Sequence, residues 1–543
     1  MSKFIFITGG VISGLGKGVS AASLGLLLKS RGYSVFVLKL DPYLNIDPGV
    51  MSPYEHGEVF VTEDGGETDL DLGHYERFIN ENFFKDSNFT SGKIFNSIFE
   101  KERKGFYQGK TVQYVPHVTN EINSVIKNLE TKYNSDFIIV EIGGTVGDIE
   151  SNPFIYAISE FANQQDEKKC FFIHVSYVPF LKTTKEFKTK PSQYSINSLR
   201  LMGIKANMIL LRSDIEINQP IIQKISKLSF LDVQNIISVY DLDNVYQTPL
   251  LLENKNADKI ILQYFNMPIN QNTTLKAWKK FVLKSEKPSI GEISIKMIGK
   301  YSHFQDAYKS IIEALKISSI YLNYKIKLDW INSEILTKQN INKNLHGSDA
   351  IVILPGFGAR GFEGKILAAK YGRDNDIPTL GICLGMQAMS IEQARRKGMK
   401  KATSKEFATN DLEEVYILDF IAGKKEQDQI GGTLRLGANK IHLKPKSKIS
   451  KIYKKNTIYE RHRHRYEIQD KFIKSLEDDS FIFAAKSDKT NLIESCEDPT
   501  KRFYIGVQYH PEFHARPLMP HNLFTELLSE AIKKQNETNN KNN

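Results

Sequence analysis

Cysteine is scarce in this chain of 543 residues, and long apolar runs are missing. The three cysteines, Cys170, Cys383 and Cys496, lie far apart, and an odd number so widely spaced does not form a disulfide framework. No uninterrupted apolar stretch approaches the length of a membrane span, and residues 1–7 are too brief an apolar segment for a signal peptide. These features predict a cytoplasmic protein without a membrane partner.

The charge balance is basic, with a formal net charge of +10 at pH 7. Apart from short clusters, the lysines and arginines are scattered, so they do not form the dense stripe typical of a nucleic-acid interface. Small substrates that carry several phosphate groups would also be attracted by this excess of positive charge. We therefore expect small anionic substrates and no nucleic acid.

Strands and helices alternate in two separate parts of the sequence, which predicts an α/β fold with two domains. In the first part the pattern predicts a doubly wound parallel sheet with strands at 4–8, 35–40, 137–141, 170–175 and 208–211 and a helix at 20–31. The pattern restarts near Gly291 with strands at 293–298, 350–354 and 378–382 and a helix at 307–316. The predicted organisation is a domain at 1–266, a linker at 267–290, a second domain at 291–535 and a disordered tail at 536–543.

A glycine-rich loop, 8–18, lies between the first strand and the first helix. Such a loop exposes backbone N–H groups to phosphate oxygens, and Lys17 adds a positive charge. The spacing departs from the common P-loop, because five residues separate Gly10 from Gly16 and Gly18 stands where Ser or Thr would bind magnesium. A dinucleotide site, with Asp41 holding a ribose, also fits the loop. A second lysine, Lys39, after the next strand favours a triphosphate.

Acidic and basic residues near the predicted strand ends add two further candidate sites. Asp69, Asp71 and Glu141 offer the oxygen ligands that Mg²⁺ prefers, and Glu141 ends a buried strand. The alternative for Asp69 is a solvated acidic loop. The basic stretch 182–191 could bind a second phosphorylated substrate, although composition alone favours an exposed loop.

Cys383 lies between Gly381 and Gly385, directly after a predicted strand. A nucleophile on such a turn is exposed at a helix N-terminus, which lowers the pKa of a thiol and supplies N–H groups. His510 could act as the base and Glu512 could orient it. The turn 355–358 could donate a second N–H group to an oxyanion. The sequence therefore predicts a cysteine nucleophile that attacks a carbonyl.

Beyond these motifs, the chain resembles the CTP synthase family, the UTP–ammonia ligases, over almost its whole length. The resemblance is carried by long blocks at 39–43, 51–53, 56–65, 67–78, 141–151, 188–191, 381–387 and 460–467. It implies a P-loop-like synthetase domain that phosphorylates O4 of UTP with ATP and lets ammonia displace the phosphate to give CTP. The C-terminal domain resembles a class I glutamine amidotransferase that releases the ammonia.

The resemblance also implies roles for individual residues. The implied catalytic residues are Cys383, His510, Glu512, Lys17 and Lys39. The implied Mg²⁺ ligands are Asp71 and Glu141. ATP-binding residues are Gly14, Leu15, Gly16, Lys17, Gly18, Val19, Asp71 and Asp241. UTP or CTP would contact Ser13, Asp148, Ile149, Glu150, Lys188, Thr189, Lys190, Pro191, Ser192, Gln193 and Lys224. Glutamine would contact Gly356, Leu384, Gly385, Met386, Gln387, Glu406 and Arg465. His56 and Val59 match positions that line an ammonia passage.

The same resemblance implies partners: ATP, UTP and L-glutamine as substrates, GTP as allosteric activator, CTP as feedback inhibitor, and a homotetramer. It implies Mg²⁺ with ATP and no organic prosthetic group. Two departures stand out. Pro355 replaces the first glycine of the family's oxyanion loop, and the segment around Lys224 diverges after Ser226.

Two other functions remain open on the sequence. Another ATP-dependent amidating enzyme, such as a cobyrinate amidase, would share the glycine-rich loop and the glutaminase but lack the nucleotide loop at 188–193. A filament protein without activity would have lost Cys383, His510 or Lys17, and all three are present.

Overall fold

The structure is a computed structural model that describes residues 2–166, 168–271, 275–409, 411–421 and 433–542. The chain divides into two compact units: Met1–Pro48 with Asp71–Val282, and Gly49–Leu70 with Leu283–Asn543. The second unit thus contains a short segment, Gly49–Leu70, that the sequence analysis places in the N-terminal domain. Among the described residues, no helix is long and apolar enough to cross a bilayer.

The first unit is built on a seven-stranded parallel sheet with the order β11-β10-β7-β1-β6-β2-β5. Its strands are β1 (Lys3–Gly10), β2 (Val35–Asp41), β5 (Asn88–Thr90), β6 (Phe137–Ile142), β7 (Cys170–Tyr177), β10 (Met208–Ser213) and β11 (Ile236–Tyr240). A small antiparallel pair consists of β8 (Phe180–Leu181) and β9 (Glu186–Phe187). The main strands are buried almost throughout, as a parallel sheet covered on both faces requires, so the predicted doubly wound sheet is confirmed.

Helices connect these strands. They are α1 (Lys17–Ser30), α3 (Asp71–Ile79), α4 (Ser91–Arg103), α5 (Thr119–Tyr133), α6 (Asn152–Asn163), α7 (Lys190–Leu201), α8 (Gln219–Ser229), α9 (Thr248–Asn254), α10 (Ala257–Tyr264) and α11 (Leu275–Ser285). Helix α11 lies inside the predicted linker, yet its Trp278 is fully buried against Phe78 and Tyr246. Burial of an aromatic ring of this size stabilises α11, although the polar residues on both sides of the helix are typical of a linker. Residues 272–274 of that linker lie outside the described part of the chain.

The second unit contains a nine-stranded mixed sheet with the order β13-β12-β14-β15-β23-β22-β21-β18-β19. Its strands are β12 (Glu292–Gly299), β13 (Lys325–Asn332), β14 (Ala350–Ile353), β15 (Thr379–Ile382), β18 (Arg435–Leu443), β19 (Thr457–His464), β21 (Ile482–Ser487), β22 (Ile493–Glu497) and β23 (Tyr504–Val507). The pairs from β13 to β23 are parallel, and those from β23 to β19 are antiparallel. The parallel part brings the ends of β14 and β15 to one edge, where a ligand crevice is expected.

Smaller elements complete the second unit. The remaining strands are β3 (Phe60–Val61), β4 (Glu67–Thr68), β16 (Ala402–Ser404), β17 (Val415–Phe420) and β20 (Tyr466–Ile468). The helices are α2 (Pro53–His56), α12 (Lys309–Leu322), α13 (Ile341–Leu345), α14 (Phe362–Asp374), α15 (Leu384–Arg396), α16 (Lys448–Tyr453), α17 (Asp470–Leu476) and α18 (Asn522–Asn542). Helix α18, whose Leu527, Leu528 and Ala531 are buried, continues to Asn542, whereas the sequence predicts a disordered tail at 536–543. Residue 543 lies outside the description.

Candidate functional sites

The glycine-rich loop of the first unit connects β1 to α1. Gly14 and Gly16 adopt φ of 72° and 81°, a left-handed region in which glycine is favoured. The departure at Gly18 has a steric cause: a Cβ there would collide with the Asp71 carboxylate. Glycine at this position therefore lets Asp71 reach the N-terminus of α1.

Lys17 and Lys39 lie beside a cluster of carboxylates. Lys39 Nζ donates to Asp71 and to Glu141 Oε1 at 2.9 Å, and it lies 3.8 Å from Asp41 Oδ1. Lys17 Nζ donates to the carbonyl of Gly144 at 2.7 Å. The two lysines and the two predicted magnesium ligands are therefore brought together in one buried cluster, as the sequence analysis expects.

Burial and charge shift the pKa values of this cluster in different directions. Burial lowers the pKa of Lys17, against the effect of Glu141. Burial raises the pKa of Glu141, whose second oxygen accepts a hydrogen bond from Tyr75. Burial also opposes ionisation of Asp71, but the neighbouring Lys39 outweighs it and lowers the pKa of that carboxyl. Asp71 is thus held as a carboxylate at neutral pH.

The predicted nucleotide residues follow the carboxyl ends of parallel strands, with one exception. Ser13 follows β1, the exposed residues 148–150 follow β6, and Asp241 follows β11. Residues 188–193 come after β7 and the short β8–β9 pair, and they run into the first turn of α7. Asp241 pairs with Arg212 at 2.6 Å. These positions share the ligand-binding edge of the sheet. Lys224 is the exception, because it is an exposed residue within α8.

The predicted nucleophile, Cys383, stands at the N-terminus of α15 with φ of 52° and ψ of −104°. This strained conformation is typical of a nucleophile on a sharp strand-to-helix turn. Its flanking glycines are required by packing, since a Cβ at Gly381 would meet the backbone of Gly385 and one at Gly385 would collide with the carbonyl of Ile353. The Sγ atom accepts a hydrogen bond from Gln508 Nε2 at 3.5 Å.

His510 is oriented by Glu512, whose Oε1 lies 2.7 Å from His510 Nδ1. Burial opposes protonation of this imidazole, but the charges of Glu512 and Cys383 outweigh burial and raise the pKa of His510 to about 10. Among the described residues, none forms a hydrogen bond with the buried Nε2 atom of His510. The structure thus brings the predicted cysteine, histidine and glutamate into one buried group.

The predicted oxyanion loop, 355–358, is held by Glu406, a predicted glutamine-binding residue, and by two lysines that no sequence motif indicates. Lys365 Nζ donates to the carbonyls of Leu354 at 2.6 Å and Pro355 at 3.3 Å, and Lys300 donates to the carbonyl of Phe357. Glu406 accepts a hydrogen bond of 2.6 Å from the N–H of Gly358. No local motif marks either lysine, because Lys300 follows β12 and Lys365 lies on α14.

The other predicted glutamine residues surround the same turn. Leu384, Gly385, Met386 and Gln387 form the first turn of α15. Gln387 Nε2 donates to Gln508 Oε1 at 3.1 Å, which connects it to the neighbour of the thiol. Arg465 and Glu406 line the cavity described next.

One cavity of about 390 Å³ connects these residues with the segment Gly49–Leu70 of the same unit. Its lining includes Cys383, His510, Glu406, Arg465, Tyr308 and Val59. His56 ends α2 nearby in the sequence but is not among the described lining residues. Of the two predicted passage residues, Val59 therefore faces the same space as the nucleophile.

Buried and partly buried ion pairs connect Gly49–Leu70 to the rest of the second unit. Glu63 accepts from Arg461 Nε at 2.9 Å and lies 3.1 Å from His514 Nε2, while His514 Nδ1 lies 3.0 Å from Glu460. Arg463 Nε donates to Glu67 at 2.8 Å. Glu460, Arg461 and Arg463 belong to the block 460–467 that carries the family resemblance, but no motif in the sequence predicts this network.

This network predicts a loss of stability at alkaline pH. Burial opposes protonation of His514, but Glu460 and Glu63 outweigh it and raise its pKa from 6.5 to about 9. A raised pKa contributes stability that is present below pH 6.5 and is lost as the pH rises through about 9, on the order of 1–3 kcal/mol. In differential scanning fluorimetry the Tm should fall over this range, and the fall should be smaller in His514→Gln. The exposed His346→Gln serves as control; equal falls in all three proteins would contradict the assignment.

Comparisons with known proteins cover nearly the whole chain. Residues 3–267 match the family described as CTP synthase N-terminus, and residues 303–529 match glutamine amidotransferase class-I. The CTP synthase of Mycoplasmopsis pulmonis is 55% identical over 98% of both chains. That of a Hydrogenobaculum species is 48% identical over 98% of both, and that of Bacillus subtilis is 44% identical over 99% of this chain and 100% of its own.

Proposed function

Since this chain belongs to the CTP synthase family, we propose that its two clusters carry out the two halves of one glutamine-dependent reaction. The enzyme is an ATP-dependent ligase that aminates UTP to CTP with nitrogen from glutamine, a reaction of pyrimidine nucleotide synthesis. Full-length similarity to CTP synthases favours this reaction over that of another amidating enzyme. What remains to be assigned is the role of each side chain.

The Lys17–Lys39 cluster is proposed to transfer the γ-phosphoryl group of ATP to O4 of UTP. The supporting observation is that two cations and two carboxylates converge beside a loop that offers backbone N–H groups to phosphate. Phosphoryl transfer depends on positioning and on stabilising negative charge, which these lysines supply. Ammonia then attacks C4 of the pyrimidine, and inorganic phosphate departs.

The chemistry of the same cluster fits Mg²⁺. Asp71 and Glu141 both approach the Lys39 ammonium, so their oxygens converge on one point where a cation is stabilised. Among the described residues no cage of three acidic, histidine or cysteine ligands exists, which suits an ion that keeps waters and substrate phosphates as further ligands. Asp71 and Glu141 would hold Mg²⁺, which when bound would neutralise triphosphate charge.

The Cys383 group is proposed to release ammonia from glutamine. Cys383 Sγ attacks the side-chain amide carbon, and Gly356 N–H is the proposed donor to the oxyanion. His510 Nε2 gives its proton to the departing nitrogen, so ammonia leaves and a glutamyl thioester remains. Water then attacks the thioester with His510 as base, which yields glutamate and restores the thiol. The raised pKa of His510 supports the imidazolium needed in the first step.

UTP or CTP is proposed to contact residues 148–150 and 188–193, with the exposed Lys190 at the start of α7 supplying a positive charge. The exposed basic stretch before it gains a functional reading only from the family resemblance. Lys224 and Asp241 remain predictions, as do the cytoplasmic location, the homotetramer, activation by GTP and feedback inhibition by CTP.

Val59 tests whether ammonia leaves through the cavity. Because Val59 lines the cavity that contains Cys383, Val59→Phe should obstruct it while leaving the thiol intact. We expect glutamate release to continue while CTP formed per glutamate falls at least about tenfold, equivalent to 1.4 kcal/mol. Val59→Ala does not narrow the cavity, so this variant should still form one CTP for each glutamate released. Both products are measured in one reaction; a Val59→Phe enzyme that still forms one CTP per glutamate would exclude this route.

A further inference from the structure

Lys365 is a buried cation that the proposed mechanism does not use. It lies on α14 with an exposed fraction of 1%, and among the described residues no carboxylate forms an ion pair with it. Its Nζ instead donates to two consecutive carbonyls, those of Leu354 and Pro355. A buried, unpaired ammonium is costly, so an arrangement of this kind needs a reason beyond stability.

Burial lowers the pKa of Lys365 to about 7, and the nearby charge of Lys300 lowers it further against the effects of Cys383 and Glu406. At neutral pH the Lys365 side chain is therefore only partly protonated, which reduces the cost of burying it. Its N–H groups serve as donors in either protonation state.

The hydrogen bond to Pro355 determines the direction of the next N–H group. In a trans peptide the C=O and N–H bonds point to opposite sides, so holding the Pro355 carbonyl towards Lys365 turns the Gly356 N–H away from it. The described lining of the cavity includes Pro355, Gly356, Phe357 and Cys383 but not Lys365. Lys365 thus lies behind the loop, and the Gly356 N–H is turned to the opposite side.

The following peptide is held from two sides. Lys300 holds the carbonyl of Phe357, and Glu406 accepts from the N–H of Gly358. That N–H is already engaged by a carboxylate, which leaves Gly356 as the better oxyanion donor. A Cβ built at Gly356 would lie 3.7 Å from Lys365 Nζ, so the ammonium group lies close to the Gly356 backbone.

We propose that Lys365 is a positioning residue for glutamine hydrolysis, which holds the Leu354 and Pro355 carbonyls so that the Gly356 N–H faces the oxyanion. It acts through the backbone and touches neither glutamine nor the thiol. This inference rests on the proposed role of Cys383 as nucleophile. It is compatible with the Pro355 departure, because proline lacks the N–H but keeps the carbonyl that accepts from Lys365.

The test compares two reactions of Cys383 in Lys365→Met, which keeps the chain length and removes the donor. Glutamine hydrolysis forms an oxyanion, whereas alkylation by iodoacetamide displaces iodide at a saturated carbon and forms none. We expect kcat for glutamine hydrolysis to fall about 10- to 100-fold, less than the roughly 100- to 1000-fold of losing an oxyanion donor outright, because the Gly356 N–H is misplaced and not removed. KM should change less than about threefold. The rate of Cys383 alkylation should stay within about twofold of the parent enzyme.

Lys370→Met is the matched control, since Lys370 is exposed on the same helix and pairs with Asp374 at 2.8 Å. It should change neither reaction. Ammonia-dependent CTP synthesis, which uses the cluster of the other compact unit, should survive in both variants. A melting temperature close to that of the parent enzyme shows that the unit containing Lys365 is folded; if Lys365→Met does not fold, Lys365→Leu, which also lacks a donor, replaces it under the same criteria.

Three results would overturn the proposal: unchanged kcat, a change confined to KM, or equal losses in hydrolysis and alkylation, which would mean that Lys365 acts on the thiol. Cys383→Ala separates this failure from failure of the proposed nucleophile. If Cys383→Ala still hydrolyses glutamine, the assignment of Cys383 is wrong whatever Lys365 does.

Discussion

Cys383→Ala should have no glutamine-dependent activity and should still form CTP when ammonium is supplied. The substitution removes the only atom proposed to form the glutamyl thioester, and the cavity residues around it keep their packing because alanine is smaller. The Lys17–Lys39 cluster belongs to the other compact unit and does not use the thiol. CTP formation is followed by the change from uracil to cytosine absorbance, with either nitrogen source.

Two details sharpen this experiment. Only neutral ammonia has a lone pair, so the ammonia-dependent rate of Cys383→Ala should rise with pH. The control is Cys496→Ala, which removes a thiol that is fully buried in β22. It should keep both activities. Loss of ammonia-dependent synthesis in a folded Cys383→Ala enzyme would disprove the separation into two sites.

Lys17→Ala should abolish CTP formation from glutamine and from ammonia alike. Lys17 lies at the start of α1, where its charge would stabilise the transferring phosphoryl group, and such charge stabilisation is worth on the order of several kcal/mol. We expect at least about a thousandfold loss, equivalent to roughly 4 kcal/mol. Asp71→Ala should show the same pattern, because it removes a proposed magnesium ligand.

The control for Lys17→Ala is Lys29→Ala, at the other end of α1, where the lysine pairs with Glu81 at 2.7 Å. It should form CTP at close to the parent rate. Glutamine hydrolysis by Cys383 should continue in all three variants, because it takes place in the other compact unit. A melting temperature close to that of the parent enzyme shows that the substituted unit is folded. Near-parental turnover of folded Lys17→Ala with ammonia would show that the nucleotide site has been assigned to the wrong loop.

Local sequence patterns are sufficient to predict a site where a strand, a turn and a required glycine occur together. The loop before α1 and the turn at Cys383 are both recognisable because backbone conformation there requires glycine at fixed positions, and the structure shows the collisions that other residues would cause. The carboxylate at Glu141 was found because it ends a buried strand. In each case the chemistry is encoded within about ten neighbouring residues.

Other features depend on residues that are distant in the sequence. Lys300 and Lys365 act on the loop at 355–358 from separate elements, so no spacing rule reveals them. The sequence predicts α11 as part of a linker, because the residues that bury Trp278 lie about 30 and 200 positions away. The nearer of them is Tyr246, whose backbone carbonyl accepts a hydrogen bond from the Trp278 indole N–H. The local composition of α11 shows which of its residues are polar or apolar, but it does not show which distant residues bury its apolar face.

The segment Gly49–Leu70 has a consequence for the order in which the protein folds. Its Glu63 pairs with Arg461, which is 398 positions later, and the buried Arg461 also donates to the carbonyl of Val61. During vectorial synthesis at about 5–20 residues per second, the segment emerges roughly 20–80 seconds before these partners exist. The first unit can close its sheet during that interval, but the segment must wait with Phe60 and Val61 uncovered. Chaperone dependence or aggregation during expression should therefore be traceable to this early hairpin, and slowing translation beyond it should lengthen the vulnerable period.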